Sequence, residues 1–210
     1  MNNNSSTKAI KQRLNRSVWG KFYQTQGFIS NSKVSNDCGP ASIVMLLNLL
    51  DFHSNQRRSS ITKIEIIKLL RPWERIPGWL PFIGGATSPL GMVNAFNRFS
   101  IHHNLGWKAV RKSHAIQNDI LRNLKAGNLI SALKIWKNGG AHWVNIVHFS
   151  ESSDQIYLLD PDPFLARLPA NKRVQTESWK SFDMDWSRQT CWSMLLHIEK
   201  EMIIYYPLRQ

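Results

Sequence analysis

The stretch Asn36-Asp37-Cys38-Gly39-Pro40-Ala41-Ser42, running into Ile43-Val44-Met45-Leu46-Leu47-Asn48-Leu49-Leu50, constrains this chain more than any other. Pro40 suits a first helical turn, where no backbone N–H is needed and the fixed φ is already helical. Gly39 lets the backbone turn sharply just before it. The residues that follow are apolar almost all round, and a helix of that kind belongs in the middle of a domain. The pattern therefore predicts a buried helix from Cys38 to about Asp51. Cys38 would stand at the positive end of its dipole, where a nucleophilic thiolate is favoured. A cysteine is equally at home as a small buried hydrophobe, so the residues downstream must decide between the two.

With 210 residues, 42% hydrophobic and 20% charged, the chain has the material for one domain with a full core and no reason for long disorder. Residues 1–17 read as a polar, basic, mobile arm and residues 18–210 as the domain. Two cysteines, Cys38 and Cys191, match neither a disulfide scaffold nor a zinc site with paired ligands. Gly84-Gly85-Ala86-Thr87 lacks the lysine of a phosphate loop. No cofactor or metal is expected. The polar start has no secretory pattern and no stretch is apolar enough to span a bilayer, so a cytoplasmic, reducing location is the expectation. The net charge of +13 favours anionic partners. Its basic residues are scattered, however, and no nucleic-acid-binding motif accompanies them, which predicts a solvated surface and no specific nucleic-acid site.

In chain order, residues 19–26 read as a short strand or extended lead-in that carries Gln24 and Gln26. Thr62-Lys63-Ile64-Glu65 is a capping box opening a helix that Arg71-Pro72 stops. Residues 73–87, rich in Pro, Gly and Trp, predict an ordered loop over the core or along a cleft. Ser88-Pro89 starts a helix with Leu90, Val93, Phe96 and Phe99 on one stripe. Residues 107–111 suit a short strand and 114–125 a helix ending at Gly127. His102, His103 and His114 read as surface or capping histidines. The period then changes to two. Strands are predicted over 129–136, 142–149, 155–160 and 191–198, with Cys191 opening the last, and one more over 202–206. Residues 164–180 read as a mixed loop. Helices followed by an antiparallel sheet make an α+β domain.

His142 opens a strand straight after a Gly-Gly turn and Asp160 closes the next one. If the two strands pair, both side chains reach one sheet edge, near the start of a helix packed on that sheet. A thiol nucleophile needs a base, and the base needs a third group that fixes its tautomer. Cys38, His142 and Asp160 supply those types in that order. An amide substrate also needs donors for its tetrahedral oxyanion, for which the Cys38 N–H and an upstream glutamine qualify. His148 shares the strand face of His142 by period two and reads as a histidine satisfied at the strand's far end. Asp162, beyond the strand end, is expected to matter little.

The Asn36-Asp37-Cys38-Gly39-Pro40-Ala41-Ser42 motif, Gly140-Ala141-His142-Trp143-Val144, Leu159-Asp160-Pro161 and the Ala126-Gly127-Asn128-Leu129-Ile130 step resemble the C39-like branch of the papain-like cysteine peptidases. The resemblance covers roughly residues 20–200 and implies a papain-like α+β fold. It implies Cys38 as nucleophile, His142 as general base and acid, Asp160 as the orienting residue and Gln26, better than Gln24, as the oxyanion glutamine. The gap between glutamine and cysteine is longer than in the bacteriocin-processing members and no transporter segment is present, so cleavage of a double-glycine leader is not implied. The expected function is a cysteine peptidase or related thiol amidohydrolase acting on a peptide or protein through an acyl-enzyme. An acyltransferase or transglutaminase-like enzyme on the same fold would carry the same residues. A non-catalytic C39-like peptide-binding module is the other alternative, against which the complete Cys-His-Asp set argues, since binding alone has no need of all three.

Overall fold

A computed structural model describes residues 16–27, 35–54, 61–78 and 85–208. At its centre is α2 (Cys38–Ser54), in which every residue from Cys38 to Leu47 is buried. Its first turn closes with the Ala41 N–H donating to Asp37 O at 3.0 Å. Gly39 is there for a steric reason: a Cβ would sit 2.7 Å from Thr87 Cβ and 2.9 Å from Met92 Sδ. The helix runs a turn past the expected end near Asp51.

Before it, α1 (Arg16–Lys21) contradicts the extended reading of residues 19–26; only the part after it is irregular backbone. The helix forms because it docks on the 3-10 turn Ala170–Lys172, so closely that a Cβ on Gly20 would collide with Ala170 O. Tertiary packing here overrides a weak local signal. The expected arm lies outside the described residues except for Arg16 and Ser17, which open α1. After α2, α3 (Lys63–Leu69) starts with the expected capping box, Thr62 N–H donating to Glu65 Oε2 at 2.6 Å. The helix α4 (Pro89–His102) is capped by Ser88, whose Oγ accepts from Gly91 N–H at 3.0 Å. The strand β1 (Trp107–Lys112) precedes α5 (Gln117–Lys125), which begins three residues later than its periodicity suggests and leaves Ile116 exposed.

The sheet continues with β2 (Leu129–Ile135), β3 (Ala141–Ser150), β4 (Gln155–Leu159) and β5 (Val174–Ser178), and ends with β6 (Met202–Pro207). Its six strands run in the order β1-β6-β2-β3-β4-β5, with every neighbouring pair antiparallel. The residues read as a mixed loop, 164–180, supply β5 and the start of α6 (Trp179–Trp186). The expected strand over 191–198 is instead α7 (Cys191–Leu195), and Cys191 is exposed. Thr190 decides this by accepting the Ser193 N–H at 3.3 Å while its own N–H donates to Ser193 Oγ at 2.8 Å. An apolar run so short does not distinguish strand from helix by itself.

One face of the sheet packs Leu133, Trp143 and Tyr205 against α2 and α4. The other packs Ile130, Val144 and Ile146 against α5 and α6. A bulge in β3 between Ile146 and His148 inverts the alternation, so Phe149 rejoins the cluster of Ile146. His148 pairs with Tyr157 on the opposite face from Ile146 and hence, by alternation, from His142. The shared face expected from period two is thereby corrected. Buried bonds tie α2 to β3: Ser42 Oγ donates to Trp143 O at 3.2 Å, and Asn145 Nδ2 donates to Ser42 O at 3.0 Å. Ser42 lies one helical turn from Cys38 and Trp143 adjoins His142, so these bonds set the helix start against the strand start.

Candidate active site

A cleft of about 220 Å³ opens where the start of α2 meets the β3 edge. Its walls include Cys38, His142, Asp160 and Gln26, together with Ala86, Trp136, Asp162 and Phe164. The chain thus brings together four side chains from four separate segments.

His142 is held by its hairpin. The turn closes with Trp136 N–H donating to Gly140 O at 2.8 Å, and Trp192 Nε1 pins Gly139 O at 2.7 Å. The His142 Nε2 is 2.5 Å from Asp160 Oδ1, which also accepts the Asp162 N–H at 2.8 Å. The Cys38 thiol lines the same cleft and acts on the imidazole from there. Trp136 stacks on the same ring, centroids 5.2 Å apart and planes 21° from parallel.

Burial alone would favour the neutral imidazole. The Asp160 carboxylate outweighs it, and with the Cys38 contact pushes the His142 pKa up from 6.5 to about 10. Burial likewise works against the charge on Asp160, but His142, the Asp162 N–H and Lys134 hold that carboxyl below its ordinary range. Lys134 itself is paired with Glu177 at 2.7 Å.

Gln26 is 5% exposed and lines the cleft. Its N–H donates to Pro161 O at 2.9 Å, fastening it to the turn that carries Asp160. The Tyr23 hydroxyl reinforces the same junction by donating to Asp162 O; burial first, then Asp162 and Asp160, pushes the Tyr23 pKa up to about 12, so it stays a donor. Gln24 is not part of the cleft wall; its Nε2 turns back to Thr25 O at 3.4 Å.

Asp162, expected to matter little, is a cleft residue and caps the 3-10 turn Pro163–Arg167 through the Phe164 N–H at 3.0 Å. Phe164 and Trp136, both substantially exposed, were not singled out from sequence. Trp136 had a signal: it precedes the Asn-Gly-Gly turn before His142, and a tight hairpin brings such flanking residues together.

No family model matches the chain, and no curated protein matches it. Solved structures do. The peptidase domain of Streptococcus ComA, a bi-functional ABC transporter involved in a quorum-sensing pathway, superposes with a TM-score of 0.51 at 17% identity, covering 88% of this chain and 98% of that one. A protein described as a C39-like peptidase from Bacillus anthracis superposes with a TM-score of 0.53 at 13% identity, over 88% and 96% of the two chains. The fold is that of a C39 peptidase domain. It is α+β and papain-like, as the Cys38 and His142 motifs led one to expect. At these identities the likeness is one of fold. Among the described residues no helix is long and apolar enough to cross a membrane.

Proposed function

We propose that the chain is a cysteine peptidase or a related thiol amidohydrolase acting on a peptide or protein substrate in a reducing compartment such as the cytoplasm. The observation that carries this reading is the meeting of Cys38 with the bonded His142–Asp160 pair in one cleft that also holds Gln26. A cysteine at a helix start, beside an imidazole held protonated by a carboxylate, supplies a thiolate nucleophile and an acid as a pair.

In this scheme Cys38 reacts as the thiolate, its proton resting on His142, and Sγ forms a C–S bond to the substrate carbonyl carbon. The oxygen that becomes negative is met by the Cys38 N–H and the Gln26 amide. Collapse breaks the C–N bond, and the His142 imidazolium protonates the leaving amine. The Cys38 thioester is then attacked by water, which gives its proton to His142. The C–S bond breaks, the acid leaves and the thiolate–imidazolium pair is restored. Asp160 keeps the ring turned so that one nitrogen serves both proton transfers.

The test is intact-protein mass spectrometry after incubation with a library of electrophilic peptides, run on wild type and on Cys38→Ala. Label on Cys38 alone, with all hydrolytic activity lost in a folded Cys38→Ala protein, is expected. Activity that survives that substitution would remove the assignment to this site. A folded wild type inert to every peptide, ester and thiol probe would favour the binding module.

A further inference from the structure

Lys63 is the first residue of α3, the end of a helix dipole where a positive charge is disfavoured. Helix formation therefore does not account for a lysine there. Its ammonium is instead committed elsewhere. It donates to the Gln26 carbonyl and lies 3.5 Å from Asp37 Oδ2, the carboxylate next to the candidate nucleophile. The base of the side chain is anchored, since Ile61 and Ile66 on either side are buried in the core.

This ammonium bridges two segments, one ending at Gln26 and the other leading into Cys38. The Gln26 backbone is then fixed on both sides. Its N–H is held by Pro161 O, and its carbonyl takes Lys63 Nζ together with Ser35 Oγ at 2.5 Å. With the backbone fixed, only the side chain is left to point into the cleft. One Gln26 side-chain atom, Oε1, is buried there without a partner. Among the described residues, the backbone rather than a bond to Oε1 holds the amide in place.

We infer that Lys63 is a positioning residue that keeps the Gln26 amide in register with the Cys38 thiol, so that removing it weakens oxyanion stabilisation without touching the thiol. The inference rests on the proposed role of Gln26. A displaced donor loses much of its effect, because about 1 Å of misplacement costs up to roughly a hundredfold in rate.

Two probes separate the oxyanion from the thiol. p-Nitrophenyl acetate acylates a thiolate through a tetrahedral oxyanion: an S–C bond forms, the C–O bond breaks, and p-nitrophenolate departs without needing a proton. Iodoacetamide alkylates the same sulfur by displacement of iodide, with no oxyanion. Both rates are measured in a Cys191→Ser background, so that the exposed second thiol is silent. Gln26→Ala should slow acylation by about a hundredfold or more. Lys63→Met should slow it by about tenfold and leave alkylation within about twofold, and Lys63→Arg, which keeps a cationic donor, should recover most of the loss. In the Gln26→Ala background, Lys63→Met should add nothing, since both act through one group. Should Lys63→Met not fold, Lys63→Gln, whose amide is too short to reach Gln26, carries the same comparison.

Acylation at the wild-type rate in folded Lys63→Met, equal slowing of both probes, or effects that multiply in the double variant would overturn the inference while leaving the enzyme reading intact. Wild-type acylation in Gln26→Ala would instead remove the donor role of Gln26, and this inference with it.

Discussion

Asp160→Asn removes the charge that keeps His142 protonated. Burial pulls the imidazole toward its neutral form, and the carboxylate together with the Cys38 contact lifts it from 6.5 to about 10. That rise corresponds to about 5 kcal/mol of preference for the imidazolium in the folded protein. Because the folded value is the raised one, this stability is fully present below pH 6.5 and is lost as pH rises through about 10. Removing an opposite charge in contact moves such a group by about 1 to 3 pH units. His142 in the Asn variant should therefore titrate well below the wild type, with the Cys38 contact as its remaining support. The direct assay is an NMR titration with ring-labelled histidine, in which the His142 signal is identified among the seven by its absence in His142→Gln. Urea unfolding provides a second reading. The variant should lose about 3 to 5 kcal/mol near pH 6, as when one partner of a buried pair is removed, and the gap should narrow towards pH 10. A folded Asp160→Asn protein whose His142 titrates as in wild type would refute the reasoning, as would a wild-type His142 titrating at 6.5 or below.

Three further outcomes are expected. Arg98→Ala should cost about 3 to 5 kcal/mol in urea unfolding, because Arg98 grips the fully buried Glu74 through two bonds of 2.6 Å. Those bonds, led by the guanidinium, hold the Glu74 pKa down at about 2, so in wild type this contribution is present above pH 4.5 and is lost as pH falls through about 2. Gly39→Ala should lower stability by about 1 to 3 kcal/mol and slow alkylation of Cys38, since the added Cβ has only 2.7 Å to Thr87. At mildly acid pH iodoacetamide should label Cys38 ahead of Cys191, although Cys191 is the exposed thiol, and His142→Ala should abolish that order, as peptide mass spectrometry would report.

The elements readable from sequence share a property: their signal lies within one segment. The α2 stretch is apolar on all sides, Thr62 and Ser88 cap their helices within three residues, and β2 to β4 are short apolar runs between Gly-rich or polar turns. The misread elements lack such a signal or carry a misleading one. Helix α1 depends on a docking partner 150 residues away in sequence, the Ala170–Lys172 turn. For β5 the alternation is one of polar residues, with only Val174 buried, because it is an edge strand beside β4 alone. At α7 the run Cys-Trp-Ser-Met-Leu-Leu is apolar enough for a strand, and only the Thr190–Ser193 box turns it into a helix.

The cleft follows the same division. Cys38, His142 and Asp160 stand out because each sits at the boundary of an element, where the chain must place a particular residue type. Gln26 could be ranked over Gln24 only by resemblance, and the geometry separates them by a long-range bond, Gln26 N–H to Pro161 O, that no local pattern encodes. Lys63 was invisible for a sharper reason. Within its own helix it is simply the residue after a good cap, and its sign is even the wrong one for that position. It becomes intelligible once Asp37 and the Gln26 carbonyl are seen on either side of its ammonium. A residue that contradicts the local rule of its own element is therefore a place to look for a task performed between elements. Here the conflict is a lysine at a helix start, and the contacts that resolve it lead to the two segments whose separation the proposed chemistry depends on.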